Sequence, residues 1–260
     1  MSRLSTYSFT VVLTSVLATS LHAQPTPKTG EEVLQRMHDA YAGKWYRTLI
    51  FTQRTTQRRK DGTDTVSTWY ESLRQLDTPS TQLRIDFGDP AAGNGVLYTA
   101  DSAWVIRNGK VTATRDHGNE FLPLIEGVYM QPVSKTIEQL RQAEVDMSHV
   151  TTAQWKGRPA WIVGVTSVAD STTPHFWIDT ERKIVVRMIL SPSKPLPSMD
   201  IHLDDYVKVG GGWLATKIVM LVDGTPRQSE EYSKWKVDVP LEDALFQPAT
   251  WVSAKHWAGK

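Results

Sequence analysis

The sequence predicts a mainly β protein of about eleven to thirteen strands in consecutive hairpins, one large antiparallel sheet, sandwich or barrel, with helices at the start and middle that could cover it. Three observations carry this. From Thr48 onward, runs rich in Thr, Val, Ile, Tyr, Phe and Trp recur with turn residues between them. Ten Trp and eight Tyr in 260 residues favour β structure or an apolar binding surface. Only three stretches carry a helical pattern, one at the start and two at mid-chain.

The N-terminus reads as an address. Arg3, a short apolar run from Phe9 to Leu17 and small residues ending at Ala23 form a secretory signal. The run is shorter than the roughly 20 residues that span a bilayer. Cleavage after Ala23 makes residues 1–23 a signal peptide and residues 24–260 a single domain. Loss of Arg3 from the 29 basic residues leaves 28 against 28 acidic ones. The protein is expected in the periplasm. A balanced charge argues against nucleic acid as a partner. The chain has no cysteine, which excludes disulfide scaffolds, thiolate metal sites, cysteine nucleophiles and a lipid anchor on cysteine.

Thr29 followed by Glu31 and Glu32 starts a helix, Val33, Leu34, Met37, Ala40 and Tyr41 continue it, and Gly43 stops it. Residues 48–58 and 65–76 form a hairpin around Asp61-Gly62. In 81–87, Leu83, Ile85 and Phe87 share one face and Arg84 and Asp86 the other. The glycine cluster at 88–95 is a loop; it lacks the spacing of a phosphate-binding motif. Asn108-Gly109, between two β runs, is the strongest hairpin signal in the chain. Residues 119–130 and 134–144 are amphipathic and helical, with Ser134 capping the second. Strands then follow at about 150–156, 159–167, 174–179, 183–190, 199–208, 213–222 and 227–237, for eleven to thirteen strands in all.

Catalytic and metal motifs are absent. The seven histidines form no HxH or HExxH pair, and there is no GxSxG elbow or SxxK. Asp200 and His202 share a face at i, i+2, but no third ligand is evident and they read as a polar edge. His175 reads as structural, and Arg58-Arg59-Lys60 as a solvated hairpin tip. Neither a cofactor nor a metal is expected. The informative residues are apolar. If Asp179 pairs with Ile184, Trp177 and His175 share a face with Ile184, Val186, Met188 and Leu190, and the opposite face is also largely apolar. A sheet wetted on one side alternates more cleanly. One face therefore packs a core and the other carries helices, or the sheet forms a trough that admits an apolar ligand. Met188, Met199 and Met220 on neighbouring strands suit an adaptable surface.

Several segments resemble the LolA/LolB-like lipoprotein carriers. VLYTADSAWVIRNGKV at 96–111 looks like that superfamily's strand–turn–strand unit, and FLPLI at 121–125 like its lid. FWIDTERKIVVRMIL, DDYVKVGGGWLATKI and VDVPLEDALFQPA are similar to the C-terminal half of its outer-membrane lipoprotein-sorting branch. The resemblance implies a mainly β fold with α lids, a curved, incompletely closed antiparallel β-barrel of about eleven strands covered by helices, which binds acyl chains beneath helices near 121–144. It also implies a non-enzymatic carrier or chaperone for an acylated lipoprotein or lipid, acting as a monomer between inner-membrane release machinery and an outer-membrane acceptor. In LolA an Arg-Pro holds the lid; here Arg74 is the lid-contact candidate, and the Pro is missing. The expected ligand-binding residues are Trp104, Leu122, Leu124, Ile125, Val128, Trp177, Met188 and Met220. An envelope sensor that binds lipoproteins or a membrane-anchored regulator is the alternative. An exported hydrolase would require a triad or metal cluster that the sequence does not show.

Overall fold

The computed structural model describes residues 25–76, 80–191 and 197–258. The proposed signal peptide lies outside the described residues. Helix α1 (Gly30–Tyr41) begins as its sequence requires: the Thr29 hydroxyl accepts the Glu32 N–H, and Glu31 and Glu32 occupy the positive end of the helix dipole. Val33, Leu34 and Met37 are fully buried beneath it.

Among the described residues thirteen strands form one antiparallel sheet. In chain order they are β1 (Thr48–Arg58), β2 (Asp64–Gln75), β3 (Thr81–Phe87), β4 (Gly95–Tyr98), β5 (Ala103–Arg107), β6 (Lys110–Arg115), β7 (Val150–Trp155), β8 (Arg158–Val163), β9 (His175–Asp179), β10 (Ile184–Leu190), β11 (Met199–Val209), β12 (Gly212–Val222) and β13 (Thr225–Val237). The spatial order is β6-β5-β4-β3-β2-β1-β13-β12-β11-β10-β9-β8-β7. The chain thus starts at mid-sheet on β1 and walks outward to β6. It crosses over through helices to β7 at the far edge, then walks back to β13 beside β1. Edge strands β6 and β7 do not pair, so the curved sheet stays open.

Local chemistry sets the register. Asn108 and Gly109 both have positive φ (48° and 73°), the two-residue turn that matches strand twist, and Arg107 pairs with Lys110 across it. Leu83 and Ile85 face the concave side as expected, opposite Leu73 and Glu71. Arg84 and Asp86 face the convex side, yet both are buried. The residues that bury them are C-terminal. Leu245, Phe246 and Trp251 pack with Leu97 and Ile106 into a second core on that face. Arg84 forks onto Asp86 at 2.7 and 2.8 Å, donates to the Leu245 and Trp251 carbonyls and lies 3.9 Å from the Trp251 ring centre. Gly95 permits this closeness, because a Cβ there would stand 2.6 Å from the Trp251 ring.

The register expected for the 174–190 hairpin holds at Asp179 and Ile184 and then breaks. A β-bulge between Val185 and Arg187 sets Arg187 opposite Trp177 and Met188 opposite Phe176. One inserted residue moves every later side chain to the other face. Trp177 and Met188 therefore lie on opposite sides of the sheet, which corrects the expectation that they share one.

The crossover is less regular than its sequence suggests. Pro123–Gly127 is π-helical and runs into one short turn, α2 (Val128–Met130). Helix α3 (Val133–Gln142) follows, with Pro132 at its N-cap and no side-chain cap. Ser134, the expected cap, sits inside the helix. Gln131 ties the two pieces together, donating to Thr136 Oγ1 at 2.8 Å and Gln139 Oε1 at 2.7 Å.

Candidate ligand-binding trough

The concave face is apolar over most of its width. β1 to β4 contribute Leu49, Phe51, Leu73, Leu83, Ile85 and Val96, and β9 to β12 contribute Phe176, Ile178, Met188, Ile201, Leu203 and Ile218. The crossover lies across this face as a lid. Leu122 and Ile125 reach down from it and enclose, with Leu49, Phe51, Leu73, Leu83, Leu203 and Ile218, a cavity of about 60 Å³. That is less than the ~150 Å³ that accepts benzene in an engineered apolar core. In this state the trough is filled largely by its own side chains.

A second hollow of about 280 Å³ opens where the sheet fails to close. Leu124 and Leu140 of the lid side and Phe176, Met188 and Leu190 of the sheet form its apolar wall, and Asp101, Asp116, His117 and Glu120 lie at its rim. A roomier recess of about 330 Å³ lies beside the β8–β9 end of the sheet. Its charges are already paired with one another, Arg158 with Asp179 and Lys156 with Asp204, each at 2.6 Å.

Few polar contacts hold the lid down. Glu126 accepts from Trp45 Nε1 at 2.8 Å and Tyr46 Oη at 2.7 Å, both just past the end of α1. His38 Nδ1 meets the Val128 carbonyl at 2.9 Å, and Tyr129 Oη donates to the Lys183 carbonyl at 3.2 Å. The Tyr129 ring stacks on Trp45 at 3.8 Å. Burial pushes the Glu126 carboxyl up to about 7, and the donations from Tyr46 and Trp45 offset part of that rise. Both of its oxygens are occupied by donors, so the geometry makes it a fastener rather than a free acid or base.

Two more buried glutamates lie on the trough floor. Glu71 lines the cavity, and Glu230 sits two strands away on β13. Glu71, Glu126 and Glu230 are each no more than 6% exposed. Burial, and then the charge of Glu230, raises the Glu71 carboxyl well above its usual range. Burial also raises Glu230, against donations from Tyr232 and Gln228.

The structure brings together six of the eight expected residues. Leu122 and Ile125 line the inner cavity, and Leu124 and Met188 the hollow at the open edge. Val128 is fully buried beneath the lid, and Met220 pairs with Ile201 on the concave face. Trp104 and Trp177 are elsewhere. Trp104 packs on the convex core with Leu97 and Trp251, because alternation from Ala103 turns it outward. Trp177 lies on the convex face against Trp155 and Arg187, on the far side of the bulge. Arg74 does not touch the lid. It faces outward, donates to Gln82 at 2.6 Å, pairs with Asp243 and lies 4.3 Å from the Phe246 ring, so it fastens the C-terminal strap. His202 and Asp200 join Arg187 in an ion-pair cluster, with Asp200 held at about 2. Sequence reasoning missed all three buried glutamates; their one local sign was an acid at an inward position of an otherwise apolar face.

No family model matches the chain, and no curated protein does. Solved structures share its fold. One is a DUF1329 family protein from Desulfovibrio piger, at 15% identity over 84% of this chain and 95% of that one, with a TM-score of 0.55. Another is described as an outer membrane lipoprotein-sorting protein domain from Vibrio parahaemolyticus, at 11% identity over 86% and 98%, with a TM-score of 0.57. A LolA superfamily protein from Nitrosomonas europaea overlaps more loosely, at 12% identity over 84% and 97% and a TM-score of 0.48.

Proposed function

We propose that this chain is a carrier that holds acyl chains of a lipoprotein or lipid in the trough beneath the 121–142 lid. It works in the periplasm after export and cleavage near Ala23, as a monomer, by binding rather than turnover. It takes its load from inner-membrane machinery and delivers it to an outer-membrane acceptor. The observation that carries this reading is a broad apolar concave face, covered by an irregular lid and continued into a hollow of about 280 Å³ between the lid and β9–β10. The lipoprotein-sorting domain that shares the fold supports the choice of cargo.

The energetics fit a carrier that must also release. Fully burying a 16-carbon chain is worth on the order of 12 kcal/mol at ~0.8 per CH₂. The closed cavity is too small for such a chain, so entry requires the lid to move. Its polar fasteners contribute about 1 kcal/mol each. Much of the binding free energy is therefore spent displacing Leu122, Leu124 and Ile125 from the floor, which leaves a modest net affinity suited to hand-off.

Titration with fluorescent long-chain probes carrying amine, alcohol or carboxylate head groups tests the reading. Saturable uptake with blue-shifted emission, weakened at least about tenfold in Ile125→Trp, is expected. A wild-type protein that takes up no probe would contradict it.

A further inference from the structure

The inner end of the trough is apolar on its walls and rich in hydrogen-bond acceptors on its floor. Register places the acceptors on one face of three adjacent strands, with Gln53 lying between the positions of Glu71 and Glu230. On β1, Gln53 follows Phe51 on the concave face and stands between Trp69 of β2 and Tyr232 of β13. Glu71 follows Trp69 on that face of β2, and Glu230 precedes Tyr232 on that face of β13. Gln53 is fully buried and donates to Thr55 Oγ1 at 2.9 Å, which leaves its carbonyl oxygen without a partner. Glu71 receives no hydrogen bond from any described residue and lines the cavity. Glu230 accepts from Tyr232 Oη at 2.7 Å and Gln228 Nε2 at 2.6 Å.

Such an arrangement is costly in an empty protein. An unpartnered buried acceptor loses its hydration with nothing in return, and two carboxyls in an apolar pocket cannot both ionise. The groups acting on the two carboxyls are each other, Tyr232, Gln228 and Gln53. Among the described residues no lysine or arginine lines the cavity to receive a phosphate.

We propose that the floor of the trough recognises an ammonium group: the carried amphiphile presents a phosphate-free, cationic amine to Glu71, Glu230 and the carbonyl oxygen of Gln53. An ammonium has three donors and no acceptor, which complements this set. Its charge compensates a carboxylate that burial otherwise disfavours. A carboxylate-headed chain meets only acceptors there and is repelled. This inference rests on the carrier reading and adds head-group selectivity to it.

Calorimetric titration of the full mature protein at pH 7.5 with dodecylamine, dodecanol and dodecanoate, each below its micellar range, tests it. Dodecylamine is expected to bind about 10-fold or more tightly than dodecanoate, with dodecanol between them. In Glu71→Gln and in Glu230→Gln the amine preference should fall below about threefold while dodecanoate binds as well as or better than before. The isosteric changes remove a buried charge, and either variant alone suffices if the other folds poorly. Equal binding of all three probes would overturn head-group recognition and leave the carrier reading standing. Dodecanol binding as tightly as dodecylamine would overturn the ammonium assignment. An unchanged preference in both variants would overturn the placement at Glu71 and Glu230. Binding of none of the probes would overturn the carrier reading itself.

Discussion

Replacing Glu126 by glutamine should make the protein more stable at alkaline pH and leave it nearly unchanged at pH 5. Glu126 is buried on the lid, with its carboxyl pushed up to about 7 from an ordinary value of 4.5. The native state therefore holds the proton more tightly than the unfolded chain does. The stability gained by protonation is complete below about pH 4.5, falls as pH rises, and is gone above about pH 7. The difference between 4.5 and about 7 corresponds to about 3 kcal/mol. For a domain of this size that is about 6–12 °C in Tm. Glutamine imitates the protonated carboxyl, keeping an acceptor for Trp45 or Tyr46 without the charge. Thermal unfolding followed by circular dichroism from pH 5 to 8.5 checks this. Glu71 and Glu230 remain in both proteins, so their own pH dependence cancels in the difference. A gap between variant and wild type that opens by several degrees between pH 5 and 8.5 is expected. A gap constant to within about 2 °C would refute the assignment. Lid opening also relieves the buried charge, so hydrogen exchange of amides 124–130 should accelerate above pH 7 in the wild type, beyond the intrinsic rate, and not in Glu126→Gln.

Other outcomes follow from the two faces of the sheet. Trp104→Ala should cost about 2–4 kcal/mol in chemical denaturation by opening the convex core, and should leave probe affinity unchanged. Arg84→Met leaves the buried Asp86 with His256 as its remaining side-chain partner and should cost about 3–5 kcal/mol, most of it recovered in the double variant Arg84→Met, Asp86→Leu. Met188→Asp places a charge on the wall of the open-edge hollow and should abolish uptake of an acyl probe.

The fold was legible because its signals are local. Thr29, Asn108-Gly109 and the alternation of 81–87 act within a few residues, and the structure shows each of them as read. What was hidden depends on partners distant in sequence. The bulge inside Ile184–Leu190 leaves no mark in a run whose residues are apolar apart from Arg187; only the pairing of Arg187 with Asp200 marks the outward face. Trp104 and Arg74 are covered by a strap more than 130 residues later, so neither could be assigned to a face by alternation in its own strand alone. Leu122, Leu124, Ile125 and Val128 were singled out because FLPLI at 121–125 resembles the LolA lid, and the structure lays that apolar segment across the concave face. Glu71, Glu126 and Glu230 were missed because an acid within a strand or helix ordinarily marks the wet face.

The central claim is that the space beneath the lid takes an acyl chain. Native mass spectrometry with lipid extraction, on mature wild type and Ile125→Trp purified from an envelope fraction, tests it most directly. The account predicts an acylated species bound to the wild type and lost from the variant, because the added indole fills the cavity that Ile125 lines. A wild-type protein that arrives empty and takes up no acyl probe, or a variant that keeps its lipid, would contradict it.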